Sequence, residues 1–452
     1  MVENPKNGAV NTEGHLAWWQ LSLIGIGCII GTGYFLGSAV AIKLTGPSVV
    51  FSYLAAAVGT FIVYDVLARM SAADPQKGSF CAYSKNAFGH WAGFSCGWVY
   101  WISEMLISGS QLTALSIFAR FWFPTIPMWV FAVIFSVLGL AVVLAGTKGF
   151  ERAENIFAVI KIAAIFMFIL LATLVIYGWF GGESLKLEIP DKKNLLFPNG
   201  VSGWWSSLIF AFYAFGGIEI MGLMAIQLKE KNDAPKAGSF MLIMLAIIYM
   251  ASISLALLLI SWRSFEEKQS PFITALEGFD LAFFPHVFNG ALIIAGFSTM
   301  TASLFAVTNI LMTLSETGDA PKIFTTKMGK KRKVPVPALG LTAAGLLFSI
   351  FLALLMPGKV YEYITTAAGL MLLYNWCFIL LASRRLLKKD TSSSVKYIVG
   401  IVLILAAISG TAMHDTSRMG LFFSLGFIAV ISLVLLKMKK KWENNKKSDS
   451  PL

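Results

Sequence analysis

Apolar runs of about 20 residues, the length a helix needs to cross a bilayer, recur along almost the whole chain and leave little choice of fold. They fall at 17–43, 47–68, 90–119, 125–146, 155–180, 204–227, 240–262, 286–315, 337–356, 360–383, 396–413 and 419–437. In lipid, such a run satisfies its backbone polar groups within itself only as a helix. The sequence therefore predicts an all-α polytopic membrane protein with 12 transmembrane helices. Of its 452 residues 57% are hydrophobic and 13% charged, against about 25% charged in soluble domains, so a soluble fold is excluded. The first sixteen residues are polar and lack a cleavable-signal pattern, so the first span is expected to be retained.

Twelve spans put both termini on one side, and the basic residues choose which. Most of the 36 Lys and Arg then lie with the termini, in clusters at 330–333, at Arg384, Arg385, Lys388 and Lys389, and at 437–447. The positive-inside rule makes that side cytoplasmic. The net charge of +12 thus reflects topology and contact with lipid headgroups, and no nucleic-acid partner is expected. The connections 181–203 and 263–285, rich in Pro, Gly and mixed charge, are candidate external caps. The tail after Lys437 reads as disordered.

Two spans carry glycine where a continuous helix would not want it. Gly25, Gly27, Gly31 and Gly33 crowd the middle of span one, with Thr32 among them. Glycine is a poor helix former and exposes backbone to close approach. Span one is therefore expected to unwind near 27–33, although close packing by small residues is the plainer alternative. Gly216 and Gly217 repeat the oddity in span six, five helices later and in the opposite orientation. Interrupted helices opening two five-helix halves point to an inverted repeat with its binding site at the bilayer midplane. The halves are 17–182 and 204–385, followed by a peripheral pair at 395–437, with cytoplasmic tails at 1–16 and 438–452.

Three ionisable residues lie deep in these spans. Lys161 sits about nine residues into span five, roughly 13 Å along the helix, where it either snorkels to the headgroups or faces the bundle as a reversible proton carrier. Glu104 is deeper still in span three, and can pair with a cation, meet a substrate group or sit protonated among helices. Glu219 follows the glycine pair and either braces the freed backbone or handles a proton.

Nothing points to an enzyme or a cofactor. The four histidines, His15, His90, His286 and His414, are scattered and form no metal-spacing pair. Phosphate-loop and nucleophile-elbow motifs are absent, so any work the chain does must draw on a gradient. The four cysteines, Cys28, Cys81, Cys96 and Cys377, read as reduced thiols with a packing role.

Several stretches carry a family resemblance. The run from Gly27 to Gly37, followed by Thr45, Gly46 and Pro47, is similar to the first-helix signature of amino acid permeases of the amino acid–polyamine–organocation superfamily, bacterial amino acid transporter branch. Lys77 to Phe80 with Tyr83, the stretch 89–101, the 212–219 segment and Leu314 to Pro321 resemble further signatures of that family. The resemblance covers roughly 15–390. It implies the LeuT-type fold, a 5+5 inverted repeat with helices 1 and 6 unwound at mid-membrane. It also implies a substrate site among helices one, three, six and eight.

On this chain the implied substrate-binding residues are Ile26, Gly27, Ile30, Gly31, Thr32 and Gly33 from helix one. Helix three contributes Glu104 and Ser108, and helix six Phe212, Tyr213, Phe215, Gly216 and Gly217. The substrate carboxylate would meet Gly31, Thr32 and Gly33, at the positive end of a half-helix. Its ammonium would meet carbonyls near 212–215. Lys161 is the implied proton-coupling residue; Glu219, from its place after the glycine pair, is the second proton-coupling candidate. The expected activity is import of a small neutral amino acid by proton symport across a bacterial plasma membrane. An exchanger without net proton coupling, a cationic amino acid permease and a non-transporting amino acid sensor are the alternatives. The chain departs from the family at Gln111, where Glu is common, at Asn309, where Arg is common, at Arg69, and across 224–235. It departs also at Glu104, where the family is commonly apolar or aromatic.

Overall fold

The structure, a computed structural model, describes residues 14–180, 196–326, 335–355, 360–388 and 391–448. Among these the chain is helical, with one isolated bridge between Leu16 and Leu228. Among the described residues nine helical stretches are long and apolar enough to cross a membrane, and three shorter apolar helices, Trp18–Ile29, Met128–Leu144 and Val336–Phe351, accompany them. Much of the candidate cap at 181–203 and the basic cluster at 330–333 lie outside the described residues.

The glycine-rich first segment divides into α1 (Trp18–Ile29), α2 (Thr32–Phe35) and α3 (Gly37–Thr45). It is followed by α4 (Val49–Ala73), a short α5 (Phe80–Phe88), α6 (His90–Ala119), α7 (Met128–Leu144) and α8 (Gly146–Ile176). The second half opens with α9 (Gly200–Tyr213) and α10 (Ile218–Met224), again one segment in two pieces. Then come α11 (Ala234–Leu259), α12 (Pro271–Leu276), α13 (Phe284–Glu316), α14 (Val336–Leu355), α15 (Val360–Leu386), α16 (Thr391–Gly410) and α17 (Asp415–Ser448).

The interruption in the first segment is narrower than 27–33. Helical geometry persists to Ile29, and only Ile30 and Gly31 take extended backbone before α2 begins. Gly25 and Gly27 stay helical because they serve packing. Gly25 lies against the Met221 and Met241 sulfurs, and Gly27 against the Glu154 side chain and Ala158. Small residues that let backbones approach are the usual device where lipid supplies no hydrophobic drive. In the second interrupted segment, Gly217 has φ +119°, a left-handed conformation open to glycine at little cost. A Cβ there would also lie 3.2 Å from the Cys28 carbonyl oxygen. The two interruptions therefore touch, and both the conformation and the approach exclude a side chain at 217.

Helix α6 runs through the middle, packed on α13 and α15, while α1 lies against α8, α11 and α13. The connection 263–285 carries α12, whose Phe272 is buried among Tyr34, Phe168 and Phe288, with ring centroids 5.2, 4.8 and 6.1 Å away. Aromatic burial of this kind fixes the connection over the bundle. The expected disorder after Lys437 is not what the structure shows: α17 continues to Ser448. The extension has a partner, since the Trp442 ring stacks on His90 at 4.0 Å and meets Phe94 edge-on at 5.8 Å.

Candidate functional site

A cavity opens where the two interrupted segments meet. Cys28, Ile29 and Gly33 form one wall and Tyr213, Gly216, Gly217 and Ile220 the facing one. Helix α6 contributes Glu104, Ile107 and Gln111, and α13 contributes Thr299 and Ser303. Its empty volume, counted with its open mouth, is about 360 Å³. Among the described residues no group of three or more His, Cys, Asp or Glu is placed to hold a metal ion.

Of the residues singled out from the sequence, Gly33, Glu104, Tyr213, Gly216 and Gly217 line this cavity. Ile26, Gly27, Ile30, Gly31, Thr32, Ser108, Phe212 and Phe215 lie outside its wall, and packing explains several of these placements. The Phe212 ring meets Trp376 and the face of Gly59, and the Phe215 ring meets Tyr249 and Tyr53. Gly31 faces Thr299, with room for no more than a hydrogen at that point. Tyr213 crosses the cavity, its ring over Gly33 and its hydroxyl 2.6 Å from that of Ser110.

Thr32 is held by Gln111. Its hydroxyl donates to Gln111 Oε1 at 2.6 Å, its amide reaches the same oxygen at 3.3 Å, and its carbonyl accepts from the Tyr361 hydroxyl at 2.9 Å. Gln111, a mere departure from the family pattern in sequence, thus clamps the first interruption to α6. Replacing it by leucine strands two buried donors, at a cost of about 1–3 kcal/mol for an unsatisfied group. Gln111→Leu should accordingly lower the melting temperature of the purified protein in detergent, and Gln111→Glu should restore most of it.

Behind α1 lies a second polar cluster. Lys161 sits at the midpoint of the 31-residue α8, fully buried, and its ammonium donates to the Gly27 carbonyl. The snorkelling alternative does not describe this side chain. Glu154, two turns earlier on the same helix face, accepts from the Ser298 hydroxyl at 2.6 Å and from Thr301 at 3.1 Å. The Ser298 oxygen is also 3.3 Å from the Gly27 carbonyl. Lys161 and Ser298 thus reach one carbonyl just before the interruption, with Glu154 held beside it by Ser298 and Thr301. Sequence reasoning missed Glu154 because span five was begun one residue after it. The helix actually starts at Gly146, and the i, i+7 spacing to Lys161 was the available signal.

Glu219 is braced. Its carboxylate accepts from the Gly217 amide at 3.2 Å and from the Trp376 indole N–H. Glu104, by contrast, has a buried Oε1 with no hydrogen-bond partner. Cys28, a buried free thiol, also lines the cavity.

A polytopic helical membrane protein with a small polar cavity between two interrupted helices is the class that this fold and site define. The amino acid permease family model matches residues 20–451, and the chain belongs to that family. It is 54% identical over 439 residues to the transporter YcgH of Bacillus subtilis (strain 168), covering 97% of this chain and 98% of that protein. It is 29% identical to the aromatic amino acid transport protein AroP of Corynebacterium glutamicum, over 92% of this chain and 93% of AroP. The AroP of Salmonella typhimurium (strain LT2) is 28% identical, over 92% of each chain. These relatives are named as transporters and not as enzymes.

Proposed function

We propose that the protein is a secondary active transporter that imports an amino acid by proton symport with alternating access. It would do so across a bacterial plasma membrane, with both termini cytoplasmic. In this reading twelve spans form a LeuT-type bundle: a first five-helix repeat at 17–182, an inverted second one at 204–385, and a peripheral pair at 395–437. The observation that supports it is the cavity itself, walled by backbone-rich segments on both sides of two touching helix interruptions. Discontinuous helices of this kind offer unpaired main-chain ends to a charged solute. The amino acid carboxylate would meet the amides around Gly31, Thr32 and Gly33, and its ammonium the carbonyl end of α9. The AroP relatives, named for amino acid transport, support the substrate class.

Proton coupling is assigned to Lys161. A protonated lysine holds the Gly27 carbonyl, and loss of its proton releases that carbonyl and with it the segment leading to the interruption. Glu219 couples in the same way through Gly217, its carboxylate accepting that residue's amide. One charge crossing 100 mV supplies about 2.3 kcal/mol, enough to concentrate a solute before any pH gradient is added. Of the helix-six aromatics Phe212, Tyr213 and Phe215, Tyr213 alone lines the cavity, so they do not by themselves exclude a bulky side chain. Uptake of labelled amino acids into proteoliposomes under an imposed inward proton gradient tests the reading. Transient accumulation above equilibrium is expected. Counterflow alone, with no accumulation, would make the protein an exchanger, and binding without flux would make it a sensor.

A further inference from the structure

Buried charge in the bundle does not balance. Lys161 is the single buried lysine or arginine among the described residues. Five carboxylates are buried with it: Glu151 and Asp319, which meet His15 and His90, and three deeper in the spans, Glu104, Glu154 and Glu219. Two of these three have partners built into the chain. Glu154 accepts from Ser298 and Thr301 and shares the Gly27 carbonyl cluster with Lys161. Glu219 accepts from Trp376 and from the Gly217 amide. Glu104 is 1% exposed, its Oε1 lacks a hydrogen-bond partner, and it forms part of the cavity wall. A buried carboxyl stays ionised only when something pairs with it, and is otherwise driven to its neutral form. Among the described residues no lysine or arginine pairs with Glu104, and its open side is the cavity.

We infer that Glu104 is the specificity-determining residue of the site and receives a second positive group on the substrate, so that the protein carries amino acids with a basic side chain. The inference rests on the amino acid permease reading of the same cavity and adds to it the side-chain class. Position supports it. Glu104 and Gln111 stand seven residues apart on one face of α6, about 10 Å along the axis. Gln111 clamps Thr32 beside the proposed carboxylate site, while Glu104 lies farther along the wall. A long side chain ending in an ammonium or guanidinium bridges that separation. A carboxylate at this depth also discriminates against neutral substrates, which would leave it buried and unpaired. Ser303 lines the same cavity and, as a neutral group, cannot replace a counter-charge.

The test is competition binding to the full-length protein in detergent and uptake in proteoliposomes, using lysine, arginine, leucine and phenylalanine as probes. The wild-type protein should prefer lysine or arginine. Glu104→Gln, an isosteric change, should weaken the basic substrate by roughly tenfold to a hundredfold, the loss of a charge-assisted contact. The same variant should bind leucine as well as or better than before. Glu104→Asp should keep the preference for basic substrates with reduced affinity, which a purely structural role would not produce. Preference of the wild type for a neutral amino acid would overturn the inference and leave the permease reading standing. Lysine selectivity unchanged in Glu104→Gln, with loss only of pH-gradient dependence, would likewise overturn it, making Glu104 a proton carrier. Failure of every amino acid to bind the wild type would overturn the permease reading and this inference together.

Discussion

Gly33→Val is expected to abolish amino acid binding, with affinity falling at least about a hundredfold, while the protein still inserts and purifies as a single species. Gly33 is the one residue of the proposed carboxylate site that lines the cavity. A Cβ there would lie 2.8 Å from two atoms of the Tyr213 ring. That ring is not free to move away, since its hydroxyl is hydrogen-bonded to Ser110. Valine would therefore fill the space between the two interrupted segments and also cover the backbone offered to a carboxylate. Clashes of this size in a packed interior cost about 1–3 kcal/mol even when they are relieved, and the lost backbone contacts add to that. Gly31→Val should behave alike, because its Cβ would meet the Thr299 hydroxyl at 2.5 Å. Isothermal titration of the purified variants reads the effect. Normal affinity in both would remove the carboxylate assignment.

Lys161→Ala should produce the second large effect, and it should do so twice over. Removing the ammonium leaves the Gly27 carbonyl without its donor and takes away the buried positive charge that acts on Glu154. An unsatisfied buried group costs about 1–3 kcal/mol, which thermal unfolding in detergent should show as a drop. Glu154→Gln in the same background should recover part of that loss, because it removes the stranded charge. Transport should separate from stability. In proteoliposomes both Lys161→Ala and Lys161→Arg should lose accumulation driven by a pH step, since guanidinium does not release its proton. Proton-driven accumulation that survives in either variant would rule the lysine out as the coupling group.

Much of the architecture was legible because lipid narrows what a chain can do. Apolar runs marked where helices lie, and glycine pairs marked where two of them break. The width of the first break was not legible. Gly25 and Gly27 look like Gly31 and Gly33 in sequence, and only the neighbouring Met221, Met241 and Glu154 show that the first two serve packing. The inner surface was harder still. Phe212, Tyr213 and Phe215 are three aromatics in a row of four, and helical rotation near a break decides which one faces the cavity. Tyr213 does, while its neighbours pack on Trp376 and Tyr249. Gln111 was visible as a departure from the family, but its role needed the position of Thr32. The missing signal for Glu154 was a helix start, and apolar scanning places such starts late when the first turns are charged. Trp442 taught the same lesson at the other end of the chain, where a charged tail stays helical once one aromatic finds a partner.

The account depends on an amino acid lying between the two interruptions, and Cys28 provides a reporter already in that wall. Replacing Cys81, Cys96 and Cys377 by serine or alanine leaves a single thiol whose alkylation by a small, membrane-permeant methanethiosulfonate can be followed by mass spectrometry. The substrate found in uptake assays should slow that reaction, half-maximally at the concentration that half-saturates uptake, and Gly33→Val should abolish the protection. Labelling of Cys28 that proceeds at one rate with and without saturating substrate, in protein that transports, would place the substrate elsewhere and contradict the account.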